Sequence, residues 1–231
     1  RPRDWSSDVC SSDLTFNSAD VFTITASGAS SDADLYIANA SGDVNTISVT
    51  ASSSDATAEV NIDAGNIAIN TDLNVTTSNN AALASFEASA DVTLGGNVTI
   101  TAGADNSEAE VTLDGSTTFN NAGTFTVTAS GDTSDADLDI ANLATSTVNT
   151  LEALASGSAA SAEINIAAGD QSGDITINTL LSAQASGDNS ADATITFSSD
   201  TAVTLTTGAD LDVIASGENS TAEIELNGST T

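Results

Sequence analysis

The sequence predicts an all-β fold, a right-handed parallel β-helix (β-solenoid) of about eight coils of 25–30 residues. Three observations lead to this prediction. One strand–corner–strand pattern recurs eight times along the chain. Apolar residues alternate with polar residues inside each predicted strand, which is typical of strands that are buried on one face. Gly, Ser, Asn and Asp cluster between the strands, where they favour turns.

The clearest copy of the pattern is Phe125–Ile140. In its first strand Phe, Val and Ala alternate with Thr, and in its second strand Ala136, Leu138 and Ile140 alternate with Asp. Residues 131–135, Gly-Asp-Thr-Ser-Asp, supply the corner between the two strands. This alternation predicts that the apolar residues face a core and that Thr and Asp face solvent.

The copies are spaced too evenly for an ordinary globular domain. A small residue ends each first strand, and successive members of this set are 25, 26, 25, 27, 26, 30 and 30 residues apart. The set is Ala26, Ala51, Thr77, Ala102, Ala129, Ala155, Ala185 and Ala215. In seven copies the second strand opens with an alanine seven positions later, and the copy at Ala185 has one more residue in its corner. A steady period of this length indicates a solenoid.

A slower repeat leaves a second fold open. Thr15-Phe16-Asn17 recurs as Thr118-Phe119-Asn120, at an offset of 103 residues. Two tandem antiparallel β-sandwich domains of about 100 residues would give the same offset. The finer repeat favours the solenoid, because a sandwich domain does not repeat every 25–30 residues.

A third short alternating run lies between the second strand of one copy and the first strand of the next. Examples are Ile67-Ala68-Ile69, Val92-Thr93-Leu94, Ile175-Thr176-Ile177 and Val203-Thr204-Leu205. Three strands separated by three corners predict one coil of a parallel β-helix, with each coil stacked on the one before. The small residues that end the first strands would then form one inward column.

The first 14 residues do not share this pattern. The stretch from Asp4 to Leu14 resembles the translation of a common sequencing adapter, and both arginines, the proline, the tryptophan and the cysteine lie in residues 1–14. We therefore interpret residues 1–14 as a non-native, disordered segment and residues 15–231 as a single solenoid repeat region. The chain has no initiator Met and stops partway through a unit, so we expect it to be an internal piece of a longer protein.

The charge balance excludes one class of partner. The chain carries 33 acidic and two basic residues, a formal net charge of −31, and both basic residues are in the first segment. The repeats thus offer no cation to replace phosphate counterions, which excludes nucleic-acid binding through a basic patch. No apolar run of about 18 residues occurs, so we expect no direct membrane insertion.

Residue types for catalysis are scarce. From Thr15 onwards the sequence contains no His, Lys, Arg or Cys, which excludes the usual nucleophile–base pairs and zinc sites. A pair of carboxylates acting on a glycoside remains chemically open. Every prominent acid belongs to the repeat, however, whereas an active site should depart from it. We expect no enzymatic activity and no required cofactor.

Acidic residues follow the alanine that opens the second strand. In a parallel stack this position points outward at the same place in each coil, which predicts a column of carboxylates interrupted at Ser85 and by a register shift near Asp192. The column is Asp34, Glu59, Glu110, Asp137, Glu163 and Glu223, with Asp32 and Asp135 beside it. Two hypotheses stay open for its counterions. Salt screens the column diffusely, or Ca²⁺ binds weakly between pairs such as Asp32 with Asp34 and Asp135 with Asp137.

One run of residues resembles a known family. Gly96-Asn97-Val98-Thr99-Ile100-Thr101-Ala102-Gly103 resembles the repeats of filamentous-haemagglutinin-type adhesins, autotransporter passengers and other giant bacterial β-strand-repeat surface proteins. The resemblance rests on composition and covers Thr15 to Thr231. It implies a secreted rod at the bacterial cell surface that acts as a stalk, spacer or adhesin. Its implied partners are host-cell or matrix glycans, or like chains joined end to end.

Alternating threonines give a competing function on the same fold. They would stack as two outward columns on the first-strand face and resemble the flat threonine arrays of ice-binding solenoids. The residues are Thr23, Thr25, Ser48, Thr50, Thr99, Thr101, Thr126 and Thr128, and the pattern breaks at Glu152, Leu154, Gln184 and Ile214. The high strand propensity of Thr explains the same pattern without any ligand. The alternative function is an ice- or ligand-binding face.

Overall fold

The computed structural model describes residues 14–16, 21–37, 40–63, 65–120, 122–169, 173–187, 189–198 and 200–228. Residues 1–13, interpreted above as non-native and disordered, lie outside the described residues. Leu14 opens the first strand and pairs with Ala40, so the ordered pairing begins one residue inside the segment assigned to the adapter.

The described residues form 19 strands in one continuous sheet. The first ten are β1 (Leu14–Phe16), β2 (Val21–Ala26), β3 (Asp32–Ile37), β4 (Ala40–Ala51), β5 (Thr57–Ile62), β6 (Gly65–Thr77), β7 (Leu83–Ala88), β8 (Asp91–Leu94), β9 (Asn97–Ala102) and β10 (Glu108–Phe119). The others are β11 (Ala122–Ala129), β12 (Asp135–Leu143), β13 (Ser146–Ala155), β14 (Ser161–Ile166), β15 (Asp174–Ala185), β16 (Asp192–Phe197), β17 (Ala202–Leu205), β18 (Asp210–Ala215) and β19 (Thr221–Leu226).

Each strand pairs in parallel with the strand one coil before and one coil after it. Leu138 in β12, for example, pairs with Val111 in β10 and with Ile164 in β14. The chain is therefore a β-solenoid of about eight turns, which confirms the predicted fold class. The tandem-sandwich alternative is wrong, because its strands would pair antiparallel inside separate blocks of the chain.

The coil has three faces, which we name by the strands that build them. The first face contains β2, β9, β11, β18 and the C-terminal parts of β4, β6, β13 and β15. The second face contains β3, β5, β7, β14, β16, β19 and the N-terminal parts of β10 and β12. The third face contains β1, β8, β17 and the remaining halves of the long strands.

The core is a narrow stack of aligned apolar columns. The small residues that end the first strands pair with one another from coil to coil, as Ala102 does with Ala129 and Ala129 with Ala155. Thr77 takes the same buried position and donates its hydroxyl to the Thr101 carbonyl at 3.4 Å. Where the core is wider, four fully buried phenylalanines fill it, namely Phe86, Phe119, Phe125 and Phe197.

The corner between the first and second faces is built the same way in every coil. The second residue before each second-face strand lies in the left-handed region. Its φ is between 50° and 55° at Ser30, Asp55, Ala81, Asn106, Thr133, Ala159, Ser190 and Asn219. The backbone N–H of this residue donates to a carbonyl of the following coil, as Thr133 does to Ser158 at 2.8 Å. The corners are therefore stacked by hydrogen bonds in the same direction as the strands.

The corner between the third and first faces differs from the prediction. A turn is present at Gly95–Gly96, but β4, β6, β13 and β15 run through this position as continuous strands. Their ladders shift register there, between Val44 and Thr46 and between Val148 and Thr150. A bulge bends a strand without ending it, so the prediction of three separate corners is wrong for these coils.

The extra residue of the copy at Ala185 is absorbed inside its corner. Asp192 pairs with Ser161, and Ala193 pairs with both Ala162 and Ala222. The second face therefore keeps its register, and the predicted register shift near Asp192 is wrong. The added residue stays in the corner, because a one-residue slip in a strand would turn its apolar side chains outward.

Candidate functional site

The outward side of the second face is the most acidic surface among the described residues, and we name it the acidic face. It has three columns that run along the stack. The central column pairs in the order Asp34, Glu59, Ser85, Glu110, Asp137, Glu163, Thr194, Glu223. The predicted column of carboxylates is therefore present in this order. The second interruption of the column is Thr194. The residue type changes at this position, but the strand keeps its register.

Two flanking columns contain the predicted Asp32 and Asp135 and five acids that the sequence analysis did not select, namely Glu87, Glu108, Asp139, Asp192 and Glu225. One contains Asp32, Thr57, Leu83, Glu108, Asp135, Ser161, Asp192 and Thr221. The other contains Tyr36, Asn61, Glu87, Thr112, Asp139, Asn165, Thr196 and Glu225. The signal was available, because each missed acid lies two residues from a central-column position and thus on the same side of its strand.

Carboxylates are most crowded around Asp137. Glu110 and Glu163 pair with Asp137 on the neighbouring strands, and Asp135 and Asp139 flank it along β12. The side chain is half-buried, and its Oδ1 atom is buried without a hydrogen-bond partner. The expectation that the aspartates of this strand face solvent freely is therefore wrong for Asp137, because its neighbours cover it.

This environment changes the protonation of Asp137. Burial, more than the four neighbouring carboxylates, raises the pKa of Asp137 to about 8. Burial is also the main cause that raises the pKa of Glu59, Glu108 and Asp135. Asp137 is thus largely protonated at neutral pH, which removes one negative charge from the most crowded part of the acidic face.

Amides and hydroxyls take up part of the remaining hydrogen-bonding capacity. Asn165 donates from Nδ2 to Asp139 Oδ1 at 3.0 Å and to Glu163 Oε1 at 2.9 Å. Thr112 donates its hydroxyl to Glu110 Oε1 at 3.0 Å. These neutral donors form hydrogen bonds with carboxylate oxygens but do not neutralise their charge. Mobile cations must therefore still balance the negative charge of the acidic face.

The acids do not assemble into a cage. Within the described ranges, no three Asp or Glu side chains come together as a group that could hold a metal ion. The predicted pairs Asp32 with Asp34 and Asp135 with Asp137 lie two residues apart on one strand face, so each pair offers ligands from one side only. A tight calcium site draws six to eight oxygens around the ion, and this surface is a flat sheet.

The outward side of the first face carries the predicted threonine array. One column is Thr25, Thr50, Thr76, Thr101, Thr128, Leu154, Gln184 and Ile214, and its neighbour is Thr23, Ser48, Asn74, Thr99, Thr126, Glu152, Ser182 and Asp212. The first column is uninterrupted threonine for five coils. Sequence analysis missed Thr76, because the outward residue two positions before it is Asn74 and not Thr or Ser.

A shallow groove lies where the second face turns into the third. It encloses about 280 Å³. Apolar Ile140 and Ile166 form part of its lining, and Asp114, Asp139 and Asn165 place polar groups at it. The groove combines apolar lining with several hydrogen-bonding groups.

Comparisons with known proteins add no relative. No family model, no curated protein and no solved structure matches the chain. In the part of the chain that the structure describes, no helix has the length and apolar character needed to cross a membrane.

Proposed function

We propose that this chain is a stiff structural segment, a rod or spacer, of a secreted bacterial surface protein, and that it has no catalytic role. One observation carries the proposal: the second face pairs without any change of register from Asp32 to Leu226. Because each coil is hydrogen-bonded to its neighbours at every strand, bending the stack would break several backbone hydrogen bonds at once. The resemblance of residues 96–103 to bacterial surface repeats supports the location.

The distance between two ends of one column tests the stiffness. Tyr36 and Glu225 belong to the same column and are seven coil steps apart, which corresponds to about 34 Å at the interstrand spacing. With Cys10→Ser as background, dyes on Tyr36→Cys and Glu225→Cys should give one narrow single-molecule energy-transfer peak. The peak should keep its position between low and high salt. A broad or two-peaked distribution would count against a stiff rod.

An adhesive form of the rod adds host-cell or matrix glycans as partners. The groove lined by Ala141, Ala167 and Asn165 supports this form, because sugars bind to apolar patches with hydrogen-bonding groups at the edge. Saturable binding to an immobilised glycan, weakened by Asn165→Ala and unchanged by Asn61→Ala on the same column, would support adhesion. The absence of saturable binding leaves the spacer role.

The second candidate function is an ice- or ligand-binding first face. The observation that favours it is the run of five aligned threonines that contains Thr101. Thermal hysteresis tests it. If the array binds ice, Thr101→Lys abolishes the hysteresis, whereas Thr93→Lys on the third face leaves it intact. A wild-type chain without hysteresis would remove this candidate.

A further inference from the structure

The residue directly after the last core residue of the second face is small in two successive coils. These residues are Ala141 and Ala167, which follow the core residues Ile140 and Ile166, and neither alanine is fully buried. The Ala167 N–H donates to the Ile140 carbonyl at 2.8 Å, so the two alanines follow one another in one outward column. Five other coils carry a polar residue at this place, namely Asp63, Ser89, Asp114, Ser198 and Asn227.

The groove described above, of about 280 Å³, has both alanines in its lining. A feature that every coil shares belongs to the rod as a whole. This groove is instead a local departure from the repeat, because two small side chains stand where neighbouring coils have larger polar ones. Such a departure is what the repeat pattern predicts for a ligand site.

One long side of the groove offers hydrogen-bond acceptors. Asp139, Asn165 and Thr196 follow one another in a single outward column beside the alanines. Asn165 donates from Nδ2 to Asp139 Oδ1 at 3.0 Å and to Glu163 Oε1 at 2.9 Å, which uses both hydrogens of its amide. The amide oxygen of Asn165 and the second oxygen of the Asp139 carboxylate can still accept hydrogen bonds from a ligand.

The charge around the groove restricts the ligand to one sign. Asp139 lies along the groove and Asp114 is part of its lining. From Thr15 onwards the sequence contains no Lys, Arg or His, so an anionic ligand would meet like charge and find no cation to pair with. A ligand that donates hydrogen bonds and carries positive charge is complementary to these groups.

The shape of the groove favours a sugar over a lysine side chain. The two alanine methyl groups are one coil step apart, about 4.8 Å, and form a flat apolar floor for the face of a pyranose ring. Ring hydroxyls next to that face can reach the acceptors of Asn165 and Thr196. A lysine side chain would engage one carboxylate and leave these neutral groups without a partner.

We propose that the groove over Ala141 and Ala167 binds a glycan with free amino groups, with a protonated amine at the Asp139 carboxylate and sugar hydroxyls at Asn165 and Thr196. The inference rests on the adhesive form of the proposed function and names the class of its ligand. Sulfated, sialylated and uronic acid glycans are excluded from the groove by their charge.

Titration calorimetry of the full chain at pH 6 and physiological ionic strength tests the proposal with two probes. One is the β1,4-linked tetramer of glucosamine, whose amines are largely protonated at this pH. The other is the glucose tetramer of the same linkage, which has hydroxyls in place of the amines. We expect saturable binding of one glucosamine tetramer per chain, about tenfold tighter than the glucose tetramer. Asp139→Asn should remove most of this preference.

Two matched controls separate the groove from the rest of the acidic face. Glu87→Gln removes one carboxylate from the column of Asp139, two coils away, and should change the affinity less than twofold. Ala141→Gln fills the groove and should weaken binding of both tetramers at least tenfold. Ser89→Gln places the same side chain in the same column outside the groove and should leave binding unchanged. All four variants change outward residues, and melting curves check that each is folded.

Each contrary result has its own meaning. Equal losses from Asp139→Asn and Glu87→Gln would show that the acidic face attracts the amines diffusely, which overturns the inference. Equal affinity for the two tetramers, lost in Ala141→Gln, would also overturn it but would leave an adhesive groove for neutral glycans. Binding of neither tetramer overturns it as well, and the distance between positions 36 and 225 still tests the rod. Equally strong competition by a lysine tetramer would assign the groove to a basic peptide and overturn the glycan class.

Discussion

The carboxyl group of Asp137 links the fold to solution pH. Acidic residues lie two positions away on either side along β12 and opposite it on both neighbouring strands, and its Oδ1 atom is buried without a hydrogen-bond partner. An ordinary aspartate in the unfolded chain has a pKa of about 3.9. The folded chain therefore holds a proton between about pH 4 and about pH 8 that the unfolded chain has released. The free energy of unfolding should therefore fall as the pH rises from about 4 to about 8. Above about pH 8, Asp137 should cause no further change in it.

The first prediction removes this dependence. Asn has the shape of the protonated aspartate, so Asp137→Asn should raise the melting temperature at pH 8 and change it little at pH 4. Asp34→Asn, in the exposed part of the same column, is the matched control. Thermal melts of both variants and of wild type across pH 4–9 check this. An equal shift for the two variants at pH 8 would mean that Asp137 has no special role.

The corner residues with positive φ adopt a backbone conformation that is unfavourable for residues other than glycine, and substitution by glycine should remove this strain. Ala81 has φ of 53° and an exposed side chain, and its N–H donates to the Asp105 carbonyl at 3.2 Å. Glycine adopts this region without steric penalty. We expect Ala81→Gly to raise the free energy of unfolding by about 1 kcal/mol, after the larger entropy of glycine in the unfolded chain is subtracted.

The control for this change is an alanine in a strand. Ala58 is fully buried in β5 and has no positive φ, so Ala58→Gly should destabilise by about 1 kcal/mol or more. Urea unfolding midpoints measure both variants. Destabilisation by Ala81→Gly would show that the corner does not strain its alanine.

At the scale of the strand, the alternating pattern was sufficient to predict which side chains face the core. The column from Asp34 to Glu223 could be predicted from a single position of the repeat. Parallel strands that pair in register place that position at the same point of every coil. The strand ends were harder. The residues near Val44 and Val148 do not show whether the chain forms a bulge or a turn there. Both segments are short and polar, and strands with alternating apolar residues flank each of them.

Burial of an outward residue could not be predicted from the pattern either. Asp137 and Asp34 have the same place in the repeat, yet only Asp137 is crowded. Asp137 has a paired strand on each side, whereas for Asp34 the described residues give a paired strand on one side only. A period-two pattern shows which side of the sheet a residue occupies. It does not show which residues lie beside it on the neighbouring strands. The Ca²⁺ hypothesis had the same weakness, because spacing along one strand does not show whether ligands surround an ion.

The acidic face gives the third prediction. Because no group of three acids in the described residues is placed to hold a metal, we expect CaCl₂ and NaCl of equal ionic strength to raise the melting temperature equally. Titration calorimetry with CaCl₂ should show no saturable heat. A saturable heat that disappears in Asp135→Asn, or a stabilisation by Ca²⁺ well above that of NaCl, would instead establish site binding between the paired aspartates.

At the scale of the whole molecule, the coils should be separable units. The fourth prediction is that deletion of residues 52–77 leaves a folded, shorter rod. Ala51 and Thr77 occupy the same column, so joining Ala51 to Ser78 preserves every column on either side. We expect a modest loss of stability, because one nearest-neighbour interface is removed.

Deletion of residues 52–64 is the matched control for that experiment. It removes half a coil, so the following strands would continue on the wrong face. We expect this variant to lose its far-ultraviolet circular dichroism signal for strand or to aggregate, whereas the whole-coil deletion melts cooperatively. Similar behaviour of the two deletions would mean that the coils are not interchangeable units.

The constant distance between paired residues also sets how the chain folds. Every ladder joins residues separated by about one coil, as Ala102 and Ala129 are, so no contact requires closure of a loop longer than one repeat. Adding coils lengthens the chain but leaves that separation unchanged, and relative contact order falls as the rod grows. Once two coils have formed, each further coil adds to an existing edge. The time to fold each added coil should therefore stay the same however many coils precede it.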